Sequence, residues 1–159
     1  MASPPGLDPR IPAFVAKFFQ ISDDESATGE YPEMFTSDAS FKFLSLKLAG
    51  TEGTSLSTAN AGMKEMRALM WKNPVKRWHD VKGLFASNTP LDFMMYGTVT
   101  QRLQKEDVVL DWAGHMILED RSGQLFVKDY QVFAVLPSTA FLLILGQYTF
   151  VRSNGTTID

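Results

Sequence analysis

Apolar and polar positions recur along this chain with two different periods, and the change from one to the other sorts it into helices followed by strands. From Asp8 the period is helical: Ile11, Phe14, Val15, Phe18 and Phe19 fall at i, i+3, i+4, i+7 and i+8, a single apolar stripe. Asp8 suits the cap and Pro9 the first turn, with Pro12 moving the start later. Ser22-Asp23-Asp24 stops this helix and opens a second, short one ending near Phe35, its pattern interrupted by Gly29 and Pro32. Ser40 to Leu48 then alternates as a strand, with Phe41, Phe43, Ser45 and Lys47 on one side and Lys42, Leu44, Leu46 and Leu48 on the other. A Gly/Thr/Ser-rich loop from Gly50 to about Thr58 has the composition of an exposed segment bordering a pocket entrance. A third helix, from near Asn60 to Lys72, buries Met63, Met66, Leu69 and Met70 until Pro74 ends it.

Beyond Pro74 the period is two. Trp78 to Phe85 and Leu91 to Gln104 read as strands, and two long arms, Asp107 to Asp120 and Gln124 to Phe133, read as a hairpin. The order helix, helix, strand, helix and four strands predicts an α+β fold, with helices on one side of a strongly curved antiparallel sheet. The chain reads as one domain over 1–159, with a core of about 9–136 and a C-terminal extension over 137–159. Pro137 ends the last arm, and the apolar run after it is either another strand or a flap.

The hairpin carries the candidate chemistry. Arg121-Ser122-Gly123 reads as a three-residue loop with Gly123 at the position of positive φ, a register that sets His115 opposite Asp129; the alternative, a two-residue Ser122-Gly123 turn, slips the alignment by one and turns Asp129 away. Such a pair shares one face with Cβ atoms roughly 4.5 to 5.5 Å apart, within hydrogen-bond reach. Val109, Asp111, Ala113 and Ile117 join that face from one arm, and Leu125, Val127, Gln131 and Phe133 from the other. Apolar walls with a few polar groups suit a small-molecule pocket. Asp111 and Gln131 are then candidates for substrate oxygens, and His79 reaches the same pocket if the sheet curves enough. The bland alternatives are a His/Asp pair that only satisfies itself, and solvent-facing Asp111, Gln131 and His79. The opposite face, with Leu110, Trp112, Met116, Leu118, Phe126, Tyr130 and Val132, is equally apolar. One face therefore needs helices, and the other a second layer or another subunit.

Composition narrows the chemistry. A net charge of −3 without a Lys/Arg cluster argues against nucleic acid as a partner. The absence of cysteine removes disulfides and thiolate chemistry, and two histidines far apart in sequence argue against a metal site. No phosphate-binding glycine loop, dinucleotide fingerprint or G-x-S-x-G elbow occurs, so neither a cofactor nor a serine nucleophile is expected. The start MASPPGLDPR lacks a basic n-region and an apolar h-region, which predicts a cytoplasmic protein in which the sequon at Asn154 is idle. The most apolar run, Thr139 to Gly146, is too short to span a bilayer.

The order of elements, the methionine-rich helix ending in Met70-Trp71 before KRWHDVKGLF, and the final VKDYQVF together resemble the SnoaL-like polyketide cyclases and isomerases over roughly Phe14 to Phe133. The resemblance implies the cone-shaped fold shared with nuclear transport factor two, scytalone dehydratase, ketosteroid isomerase and limonene epoxide hydrolase. It also implies a homodimer formed through the sheet face turned away from the helices. In those cyclases a histidine on the penultimate strand and an aspartate on the last one act together, and His115 and Asp129 match them by position. Asp129 would be the general base and His115 its partner, while Tyr31 approaches from the second helix as a phenol donor. The implied activity is a cofactor-independent isomerase or cyclase acting on a hydrophobic polyketide or terpenoid-like intermediate. A dehydratase of the same fold and a non-catalytic binding or dimerisation module are the alternatives.

Overall fold

The computed structural model describes residues 4–43, 67, 68 and 70–134. Its elements are α1 (Ile11–Ser22), α2 (Glu30–Glu33), β1 (Phe35–Phe43), β2 (Lys76–Ala86), β3 (Asp92–Arg102), β4 (Asp107–Arg121) and β5 (Gln124–Ala134). The α+β class follows the periodicity. Two helices stand among the described residues, and Arg67, Ala68 and Met70 of the expected third are helical. The helix ends earlier than expected, since Trp71 and Lys72 already lie in a turn ahead of Pro74, while residues 60–66 and 69 of it, the strand positions 44–48, the loop over 50–58 and the segment 137–159 lie outside the described residues.

The strands form one open mixed sheet in the order β1-β5-β4-β3-β2. β1 runs parallel to β5, while the other neighbours are antiparallel. β1 begins at Phe35, earlier than its alternation shows, because Phe35 already pairs with Val127 before an irregularity resets the register at Ser40. The second helix is correspondingly cut to a single turn, Glu30–Glu33. On β3 the residues Phe93, Met95 and Val99 are buried, and on β4 the residues Leu110, Trp112, Met116 and Leu118. This face receives α1. Phe18 meets Tyr130 edge-on at 5.5 Å between ring centroids, and Phe19 lies 5.1 Å from Trp112. Phe18 is 1% exposed, and truncating so buried a phenylalanine typically costs about 3 to 5 kcal/mol.

Two local features displace the expected hairpin register. Ser122 and Gly123 both have positive φ, 56° and 91°, which makes a tight two-residue turn instead of the three-residue loop. Further along, Leu118 pairs with Val127 but Ile117 pairs with Asp129, so Lys128 is an extra residue in a β-bulge. The bulge changes which residues of β5 face inward, from Leu125 and Val127 before it to Tyr130 and Val132 after it. His115 therefore lies opposite Gln131, not Asp129.

At the other end of the sheet, Gly97 lets β2 come close. A Cβ there would sit 2.0 Å from the Asp80 carbonyl oxygen, a contact only glycine avoids. Asp80 follows His79 on β2, so this close approach helps fix where His79 stands.

Candidate functional site

The helix-facing side of β2 carries Arg77 and His79 at alternate positions, opposite Gln101 and Val99 of β3. Both reach the end of α1. There Asp23 is the C-cap, at φ −90° and ψ 0°, its amide donating to the Phe19 carbonyl at 2.8 Å. A carboxylate at the negative end of a helix dipole is locally unfavourable, and it is held there by groups from β2. The His79 backbone N–H donates to Asp23 Oδ2 at 2.6 Å, and His79 Nδ1 lies 2.7 Å from Asp23 Oδ1. Arg77 Nε adds a longer contact to Oδ1 at 3.3 Å. The guanidinium is further fixed by Nη2, which donates to the Ser22 carbonyl and, at 3.1 Å, to Ser22 Oγ.

The His79 ring is sandwiched between apolar groups. It stacks on Phe19 at 4.4 Å and meets Trp112 edge-on at 5.5 Å. Burial pushes its pKa below the ordinary histidine value, against the opposing pull of Asp23. Burial alone would raise the Asp23 carboxyl, but the hydrogen bonds and charges of His79 and Arg77 outweigh it and hold Asp23 below the usual carboxylate range. An anionic Asp23 accepts the Nδ1 proton of a neutral His79, which leaves Nε2 as the basic nitrogen.

His79 belongs to the wall of an apolar cavity between α1 and the sheet, lined also by Phe19, Tyr31, Leu110, Trp112 and Tyr130. Its open volume, mouth included, is about 680 Å³. Tyr31 is 3% exposed, and its burial pushes the phenol up to about 12, so it stays a hydrogen-bond donor near neutral pH. No group of three or more metal-ligating side chains occurs among the described residues.

The residues expected from the sequence fall on two sides of the sheet. His79 and Tyr31 line the cavity, whereas Asp111, His115, Asp129 and Gln131 do not. Those four share the outer face, in register with Thr98, Met94 and Gln131, Ile117, and His115 respectively. His115 Nε2 meets Asp92 Oδ1 at 2.7 Å, so its carboxylate partner comes from β3. α1 covers the face of Leu110, Trp112 and Tyr130, so the cavity lies on the side of the sheet opposite to His115 and Asp129. Sequence reasoning missed Asp23 and Arg77. The signal for Asp23 was its position as an acidic group closing a helix, where the dipole offers it nothing.

The sequence matches no protein-family profile and no curated protein sequence. Solved structures are another matter. The chain superimposes on a candidate scytalone dehydratase from Novosphingobium aromaticivorans DSM 12444 with a TM-score of 0.63 and 12% identity, covering 79% of this chain and 82% of that one. A candidate SnoaL-like polyketide cyclase from Jannaschia sp. CCS1 gives 0.63 and 12% identity over 93% and 99% of the two chains. A protein of ketosteroid isomerase-like fold from Catenulispora acidiphila DSM 44928, in complex with trimethylamine, gives 0.60 and 9% identity over 85% and 93%. At these identities the shared property is architecture, and the chain has the fold of the nuclear transport factor two-like proteins.

Proposed function

We propose that this protein catalyses cofactor-independent proton transfer on a small, apolar, carbonyl-bearing molecule, with His79 as general base and Asp23 as the residue that orients it. The observation that carries this reading is the 2.7 Å contact between His79 Nδ1 and Asp23 Oδ1 in the cavity wall. A buried imidazole with its Nδ1 proton committed to a carboxylate presents Nε2 to a substrate carbon acid. Removing a proton next to a ketone gives an enolate. Reprotonation at a different carbon is isomerisation, and attack of the enolate on a second carbonyl is ring closure. Either suits a polyketide or terpenoid-like intermediate. Dehydration is a second reading, favoured by Tyr31, a buried phenol that would protonate a departing hydroxyl.

Solvent exchange tests the proposal without the natural substrate. In D₂O, the wild type should accelerate deuterium incorporation next to the carbonyl of 2-tetralone, followed by proton NMR. His79→Gln should lower that rate by about 10²-fold or more, while Asp129→Asn leaves it unchanged. Equal rates for wild type and His79→Gln would remove catalysis from the reading and leave a ligand-binding module.

The outer face supports a homodimer as the proposed assembly. Phe85, Tyr96, Val109 and Phe133 are exposed there, with Phe85 stacked on Tyr96 at 5.8 Å. Val109→Glu should convert a dimer to a monomer in sedimentation velocity, and a monomeric wild type would refute this assembly.

A further inference from the structure

Three buried polar atoms in residues that line the cavity have no hydrogen-bond partner: Arg77 Nη1, Gln101 Oε1 and Trp112 Nε1. Leaving a buried polar group unpaired typically costs about 1 to 3 kcal/mol, so three around one cavity call for an explanation outside the protein's own bonds. Arg77 and Gln101 are direct partners across β2 and β3, which places a donor and an acceptor side by side, one alternation along the strand from His79. Arg77 is 2% exposed and its other nitrogens are committed to Asp23 and Ser22, so Nη1 is the one left for a ligand.

We propose that Arg77 and Gln101 form an oxygen-binding subsite beside His79, in which Arg77 Nη1 donates to a carbonyl, enolate or phenolate oxygen of a flat ligand and Gln101 pairs with an adjacent hydroxyl. The ligand class is a vicinally oxygenated, otherwise apolar ring system. A hydroxyl suits Gln101 in either orientation of its amide. The placement of the ionising oxygen rests on the proton-transfer reading: as His79 takes the carbon-bound proton, the electron pair moves onto the carbonyl oxygen, and Arg77 meets the charge that develops. Trp112 Nε1 is a second donor from the far wall.

Three planar probes resolve the subsite by calorimetric titration: naphthalene, 2-naphthol and 2,3-dihydroxynaphthalene. Wild type should bind them in that order of increasing affinity, with about tenfold gained on the first oxygen and a smaller factor on the second. Arg77→Met should erase the first step and Gln101→Leu the second, each leaving naphthalene binding within about twofold. If Arg77→Met does not fold, the wild-type ligand order and Gln101→Leu decide. Equal affinities in the wild type, no binding of any probe, or an unchanged order in a folded variant would overturn the subsite. His79→Gln separates the two proposals. An order preserved there while deuterium exchange is lost in every form would remove only the catalytic reading, whereas normal exchange without the ligand order would remove only the subsite.

Discussion

The molecule holds two histidine–aspartate pairs at the same separation, 2.7 Å, on opposite faces of one sheet. His79 and Asp23 sit under α1, with side chains 10% and 16% exposed, between Phe19 and Trp112 and beside a buried arginine. His115 and Asp92 sit on the outer face, with side chains 29% and 10% exposed, and neither residue lines the cavity. Distance alone would not choose between them. What differs is the setting: an apolar enclosure strengthens electrostatic interactions and gives a substrate somewhere to lie, and only the inner pair has it.

Replacing each aspartate in turn should break the symmetry most sharply. Asp23→Asn strands Arg77 in the interior, so it should cost about 3 kcal/mol in denaturant unfolding and slow the exchange reaction by more than about tenfold. Asp92→Asn keeps a hydrogen bond to His115 and should cost about 1 kcal/mol without changing exchange. A reversal of that ranking would mean that the outer pair is the more demanding one.

Acid should sharpen the contrast further. The folded pKa of His79 lies below the ordinary value of 6.5, so between the two values the unfolded chain binds the proton and the folded one does not. Stability should therefore fall as pH drops below about 6.5, by at most about 1.4 kcal/mol per pH unit. His79→Gln removes this dependence, which urea titrations from pH 7 to 5 would detect. Asp23, also lowered, contributes stability above 3.8 that is lost as pH falls through its depressed folded value. The smallest effect belongs to His115→Gln. The replacement amide can still donate to Asp92, so the loss should be about 1 kcal/mol or less, and exchange should stay within about twofold of wild type.

Much of the architecture was legible because period-two alternation is strong over β3 and β4, and because the α1 stripe is unbroken. His79 and Tyr31 were also legible as cavity candidates. The faces of the hairpin were not. Serine is an unusual occupant of a positive-φ turn position, so Ser122 favoured the three-residue loop over the two-residue turn that the chain adopts. Lys128 concealed the bulge, since nothing in VKDYQVF distinguishes an extra residue from ordinary alternation. Asp23 was visible as a helix stop but not as a partner of β2, because that contact joins residues 56 positions apart.

The spare residue at Lys128 has a structural corollary. Because Asp129 already pairs with Ile117, and Val127 with Leu118, deleting Lys128 would leave adjacent rungs of the ladder that match without inverting the strand. The cavity lining would survive the loss of one residue. The hairpin thus carries slack at Lys128, and a chain lacking that residue should keep Val127, Tyr130 and Val132 facing inward.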